Sequence, residues 1–98
     1  MFVWDSANID HIALHEISTE EAEQVINNDP LDIERQFRNG ETRFVQLGET
    51  IKGRVLFVVV TLRGGNLRVV TAFPADRQAR KFYSEQKELD NGEDNRDP

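Results

Sequence analysis

RVLFVVVTLRGGNLRVVTAF, residues 54–73, reads as two strands joined by a tight turn, and the rest of the chain is arranged around it. Val, Leu, Phe and Thr fill both runs, which suits a pleated, partly buried surface. Gly64-Gly65-Asn66 between them is a hairpin signal, because such turns need residues that tolerate positive φ. The first run, Arg54 to Leu62, is apolar on both faces at Leu56-Phe57-Val58-Val59-Val60. It therefore belongs in the middle of a sheet, with helices over at least one side. The second run, Leu67 to Phe73, carries Arg68 and passes Pro74 into DRQARKFYSEQK, residues 76–87. There Asp76 is placed to cap a helix whose Ala79, Phe82 and Tyr83 share one stripe, while Arg77, Arg80, Lys81 and Lys87 fall mainly outside it.

Upstream, Leu31, Ile33, Arg35 and Phe37 alternate with polar positions up to Asn39-Gly40, a second hairpin turn, and Arg43 to Gly48 gives the returning strand. The pattern predicts four antiparallel strands in a meander. Before them, Phe2-Val3-Trp4 is a short β-prone run, and Asp5 or Ser6 caps a short helix with Ile9, Ile12 and Ala13 on one side, ending near His15. Ser18 and Glu21 then form a capping box, with Ile17 and Ala22 as its hydrophobic staple. The second helix carries Ala22, Val25 and Ile26 and breaks at Asn27-Asn28-Asp29-Pro30. The fold class expected is α+β: a short N-terminal strand, two helices, the four-stranded sheet and a C-terminal helix packed on it. Residues 1–89 form one domain, followed by a disordered acidic tail over 90–98, where no apolar residue remains.

A chain of 98 residues is the size of one domain, and the absence of cysteine excludes disulfides and thiolate metal sites. The N-terminus has no basic run ahead of an apolar stretch, and Val55 to Val60 is too short to span a bilayer, so a cytoplasmic, membrane-free protein is expected. A net charge of −6 conceals a polarised molecule. Residues 1–34 hold nine carboxylates and no Lys or Arg, whereas residues 35–87 hold eleven Lys or Arg against four Asp or Glu. The pI of 4.8 argues against indiscriminate coating of nucleic acid while leaving room for a local cationic surface.

The order of these elements resembles the BrnT family of bacterial toxin components, which belong to two-gene toxin–antitoxin systems and have a RelE-like ribonuclease fold. The likeness covers about residues 2–85 and is carried by the spacing of several short matches. These are Phe2-Val3-Trp4-Asp5, Asn8, His15-Glu16-Ile17-Ser18, Asp29-Pro30-Leu31, and Arg43 through Gly48. Gly53-Arg54-Val55-Leu56, Arg68-Val69-Val70-Thr71-Ala72, and Arg77, Arg80 and Tyr83 complete the set. The chain departs from the family at Leu14, where a basic residue is usual, at Glu16, where Gly is usual, and at Phe73-Pro74, which replaces a basic pair.

The resemblance implies metal-independent RNA cleavage, with neutralisation by a cognate antitoxin of ribbon-helix-helix type. Such a complex would touch DNA only through the antitoxin. Cleavage of this kind needs proton transfer at the 2′-hydroxyl and the leaving oxygen, and cations for the charge developing on phosphorus. An imidazole can give or take a proton near neutrality, which makes His15 the candidate acid or base. Arg68 and Arg80 are candidates to clamp phosphate, and Tyr83 to donate a hydrogen bond or stack on a base. Arg54, Arg77 and Lys81 are candidate RNA contacts. His11 and His15 stand four residues apart, but nothing specifies a third ligand, so neither a metal nor another cofactor is expected. The alternative is a noncatalytic protein-binding module on the same fold, which the departures at Leu14, Glu16 and Phe73-Pro74 would favour.

Overall fold

The computed structural model describes residues 1–95, with side chains described up to Leu89, so the whole of the expected 90–98 tail lies outside the described side chains and residues 96–98 outside the described residues altogether. The elements are β1 (Phe2–Val3), α1 (Ser6–Ala13), α2 (Thr19–Asn27), β2 (Leu31–Arg38), β3 (Glu41–Glu49), β4 (Val55–Arg63), β5 (Asn66–Pro74) and α3 (Arg77–Asn95). They form an α+β fold with three helices and one five-stranded sheet in the order β1-β5-β4-β3-β2. The β2–β5 meander is antiparallel as expected, and β4, the doubly apolar strand, lies at its centre. The sheet is mixed, however, because β1 adds a fifth strand, parallel to β5, with Phe2 opposite Leu67 and Val3 opposite Arg68. A two-residue strand carries too little pattern to announce its pairing; only the edge of β5 selects it.

Local chemistry fixes each end. Both hairpins turn on two residues of positive φ, Asn39-Gly40 at 52° and 79° and Gly64-Gly65 at 58° and 82°. Asp5 caps α1 and Ser18 caps α2, each within a reciprocal capping box. Asp76 caps α3 by accepting the Ala79 N–H at 2.8 Å.

The two sheet faces are filled differently. Ile12, Ile17, Ala22 and Val25 from the α1–α2 layer pack on Leu56, Val58, Val60, Val69 and Ala72, making a continuous apolar core. Gly48 lets α2 sit this close, since a Cβ there would lie 3.1 Å from both Pro30 Cβ and Val25 Cγ1. On the other face, Ala79 and Tyr83 of α3 cover only one end of the sheet, with Leu47, Ala75, Val55, Phe57 and Leu31. Asn8, 3% exposed, ties the layers where β1 ends. Its amide donates to the carbonyls of Val3 at 3.1 Å and Val69 at 3.2 Å, and its oxygen accepts the Asp5 N–H at 2.8 Å. All the bonds this buried amide makes are therefore to backbone.

Candidate functional site

Strand register places three side chains in one row across the α3 face. Arg43 of β3 stands opposite Thr61 of β4, which stands opposite Arg68 of β5. Neighbouring strands lie about 4.8 Å apart, so the two arginines are roughly 10 Å apart at Cα. Beside this row, Val45 and Val59 form an apolar floor at 9% and 8% exposure. Two carboxylates hold the cations. Glu41 takes Arg63 Nε and Nη2, both at 3.2 Å, and reaches Arg43 Nη2 only at 3.4 Å. Arg43 Nε is buried without a hydrogen-bond partner, which makes this the most loosely held guanidinium of the group. The Arg63 fork holds the Glu41 carboxyl below its usual range. Asp5 takes Arg68 at 2.8 and 3.3 Å, and that ion pair lowers the Asp5 carboxyl in turn.

The other end of the same face is aromatic. Phe57 and Phe73 stand opposite each other and stack at 5.2 Å between centroids, 29° apart in plane. The His15 ring lies 6.3 Å from Phe73, and that of His11 lies 6.3 Å from His15. His15 reaches the sheet edge through the turn after α1. Ile17 N–H closes on the Ile12 carbonyl and Glu16 N–H on that of Ala13, a Schellman closure with Glu16 at φ 59°. That is the left-handed region that favours glycine, so Glu16 strains the turn that positions His15.

Arg54 braces this turn. Its guanidinium donates to the Glu16 carbonyl at 2.8 Å, to both Glu21 oxygens at 3.2 Å and to the His15 carbonyl at 3.5 Å. Burial pushes the Glu21 carboxyl up, but the Ser18 N–H and Arg54 outweigh it and the net displacement is downward. Arg54 thus orders the His15 loop in this conformation, although its sequence suggests an RNA contact.

The remaining candidates lie on α3. Arg77 and Lys81 are exposed, and no hydrogen bond or ion pair holds them among the described residues. Arg80 donates to the Ala75 carbonyl at 2.9 Å. Tyr83 is 5% exposed and its hydroxyl donates to Glu49 at 3.3 Å; burial, then Glu49, pushes it up to about 12. Lys87 stands over the Tyr83 ring at 5.7 Å and bonds the Asp29 carbonyl at 2.6 Å, so Tyr83 anchors α3 in this conformation. Arg68 and His15 do not converge. They sit at opposite ends of the face, separated by the four residues from Thr61 to Phe57, about 13 Å at strand rise. In the sequence Arg43 opens a strand and one of the family-like matches without a role attached; the register with Thr61 and Arg68 is what brings it to the row. No group of three or more metal-ligating side chains occurs among the described residues, and no described helix is long and apolar enough to cross a membrane.

No curated protein gives a significant match to the chain. Residues 4–79, which span every strand of the meander, α1, α2 and the start of α3, match the family described as ribonuclease toxin, BrnT, of type II toxin–antitoxin system. The cationic row, the aromatic end and the His15 loop lie within that span, and the chain belongs to the BrnT family of ribonuclease toxins of type II toxin–antitoxin systems.

Proposed function

We propose that this chain cleaves single-stranded RNA without a metal, using the α3 face of the sheet. The observation that carries the reading is the alignment of Arg43, Thr61 and Arg68 in one row, on a face that also holds the aromatic end beside His15. An extended strand of RNA can lay one phosphate on the arginine row and an unstacked base on the aromatic end, with a neighbouring phosphodiester beside His15. Phosphate would replace Glu41 at Arg43 and share Arg68 with Asp5, exchanging one charge-assisted bond for another. His15 would transfer the proton at the reacting hydroxyl or leaving oxygen. Arg80, Arg77 and Lys81 would set positive charge from α3 against the negative charge that develops on the phosphoryl oxygens. Arg54 acts on His15 only through the loop it braces, and Tyr83 contributes by fixing α3 unless that hydrogen bond to Glu49 opens.

In this reading the protein works in the cytoplasm and is neutralised by an antitoxin with a ribbon-helix-helix fold, which brings the complex to DNA. The test is incubation of the purified chain with RNA in EDTA, beside His15→Ala. Cleavage that survives the chelator and is lost in the variant is the expected result. An inert wild-type chain that still binds an antitoxin would replace this reading with the noncatalytic module, whose support is the pairing of Arg68 and Arg63 with carboxylates.

A further inference from the structure

Between α3 and the sheet lies a cleft of about 400 Å³. Ile33, Leu47, Phe57 and Phe82 give it apolar walls, and Asp32, Asp76 and Gln78 add polar groups to its lining. Its size falls in the range of small-molecule sites, and its composition, mostly apolar with a few polar groups, matches them as well. Phe82 is 45% exposed although it lines the cleft, and Phe57 continues through its stack on Phe73 to the His15 ring. The cleft is therefore continuous with the aromatic end of the face, while the arginine row lies towards the opposite end.

We propose that this cleft is a nucleobase subsite that prefers a base presenting amino donors, guanine above all. The proposal rests on the RNA reading above. A base entering the cleft stacks on Phe82 or Phe57, a contact every base can make. Selection then comes from the lining. Asp76 uses Oδ1 to cap α3, which leaves its other oxygen to accept, and Gln78 both donates and accepts. A carboxylate matches the N1–H and N2–H₂ edge of guanine, accepts one bond from the amino group of cytosine, and has only N3–H to meet on uracil. The free Asp76 oxygen also repels phosphate, whereas the Asp32 carboxylate is taken by Gln46, so the backbone of a bound nucleotide is directed away from the α3 N-terminus and out of the cleft towards the cations. This gives the face a polarity: base at the α3 end, phosphodiester outside it.

The test is an NMR titration of the full chain with GMP, CMP, UMP and ribose 5-phosphate. The expected result is movement of the Gln78 to Phe82 amides with GMP, at an affinity at least about tenfold above UMP, with CMP between them and ribose 5-phosphate leaving these amides still. Phe82→Ala should weaken all three nucleotides, whereas Asp76→Asn, which keeps a capping oxygen, should narrow the gap between GMP and UMP. Equal responses to GMP and UMP, or α3 shifts with ribose 5-phosphate as large as with GMP, overturn the proposal. Metal-free RNA cleavage with no α3 response to any nucleotide also overturns it while sparing the catalytic reading. A GMP response in a chain that cleaves nothing supports the subsite and removes the catalytic reading instead.

Discussion

The two faces of one sheet have been put to different uses. On the α1–α2 face, Leu56 and Val58 are fully buried against Ile12, Ala22 and Val25, with Asn8 supplying a polar tie to two strands. On the α3 face, a helix covers one end only, and the other end carries Arg43, Thr61, Arg63 and Arg68. Substitutions should therefore be felt differently: on the first face in stability, and on the second, if RNA uses it, in binding.

The largest contrast should appear in denaturation. Leu56→Ala removes a side chain at 0% exposure and should cost about 2–5 kcal/mol. Arg63→Ala, with a side chain 60% exposed, should leave stability within about 0.5 kcal/mol. Chemical denaturation of the two variants measures both, and comparable losses would break the division between the faces.

A smaller effect should come from the loop between α1 and α2, which carries His15 to the edge of the α3 face. Glu16 occupies a left-handed position at φ 59°, so Glu16→Gly should stabilise the fold by about 1 kcal/mol, read as a raised denaturation midpoint. A loss of stability would show that the Glu16 side chain makes a compensating interaction.

The smallest effect should be the response to acid. The carboxyls of Asp5, Glu21 and Glu41 lie below their ordinary values of 3.8, 4.5 and 4.5, lowered chiefly by Arg68 for Asp5, by the Ser18 N–H and Arg54 against burial for Glu21, and by Arg63 for Glu41. In that range the unfolded chain binds more protons than the folded one, so the stability these groups contribute is full above those values. It is lost as pH falls through the lower folded values. Thermal unfolding between pH 6 and 2 should show that decline, and Arg63→Ala should flatten it by releasing Glu41. An unchanged slope in the variant would mean that the Glu41–Arg63 pair contributes nothing in solution.

Much of the fold was legible because its signals are local. The capping residues Asp5, Ser18 and Asp76, the turns at Asn39-Gly40 and Gly64-Gly65, and the doubly apolar run at Leu56 to Val60 each act within a few residues. Each lies where the sequence places it. The pairing of β1 was not legible, since two residues have no period and the parallel partner is 65 positions away. The site was less legible for the same reason. Arg68 and Arg43 fall into one row only through register across β4, and Arg54 looks like any strand cation until its four hydrogen bonds to the His15 loop and Glu21 are seen. Tyr83 shares its stripe with Ala79, and packing made it a buried anchor for α3.

If RNA uses the α3 face, removing one charge from each side of the molecule should have unequal effects. Arg43 belongs to the row on that face, while Lys52 lies in the loop before β4, lining a groove against α2. Rates of RNA cleavage in EDTA should fall at least about tenfold for Arg43→Gln, the loss of a charge-assisted phosphate contact of about 1.5–3 kcal/mol. Lys52→Gln should stay within about twofold, a few tenths of a kcal/mol. Equal losses in the two variants, or an unaffected Arg43→Gln, would show that RNA does not use the α3 face.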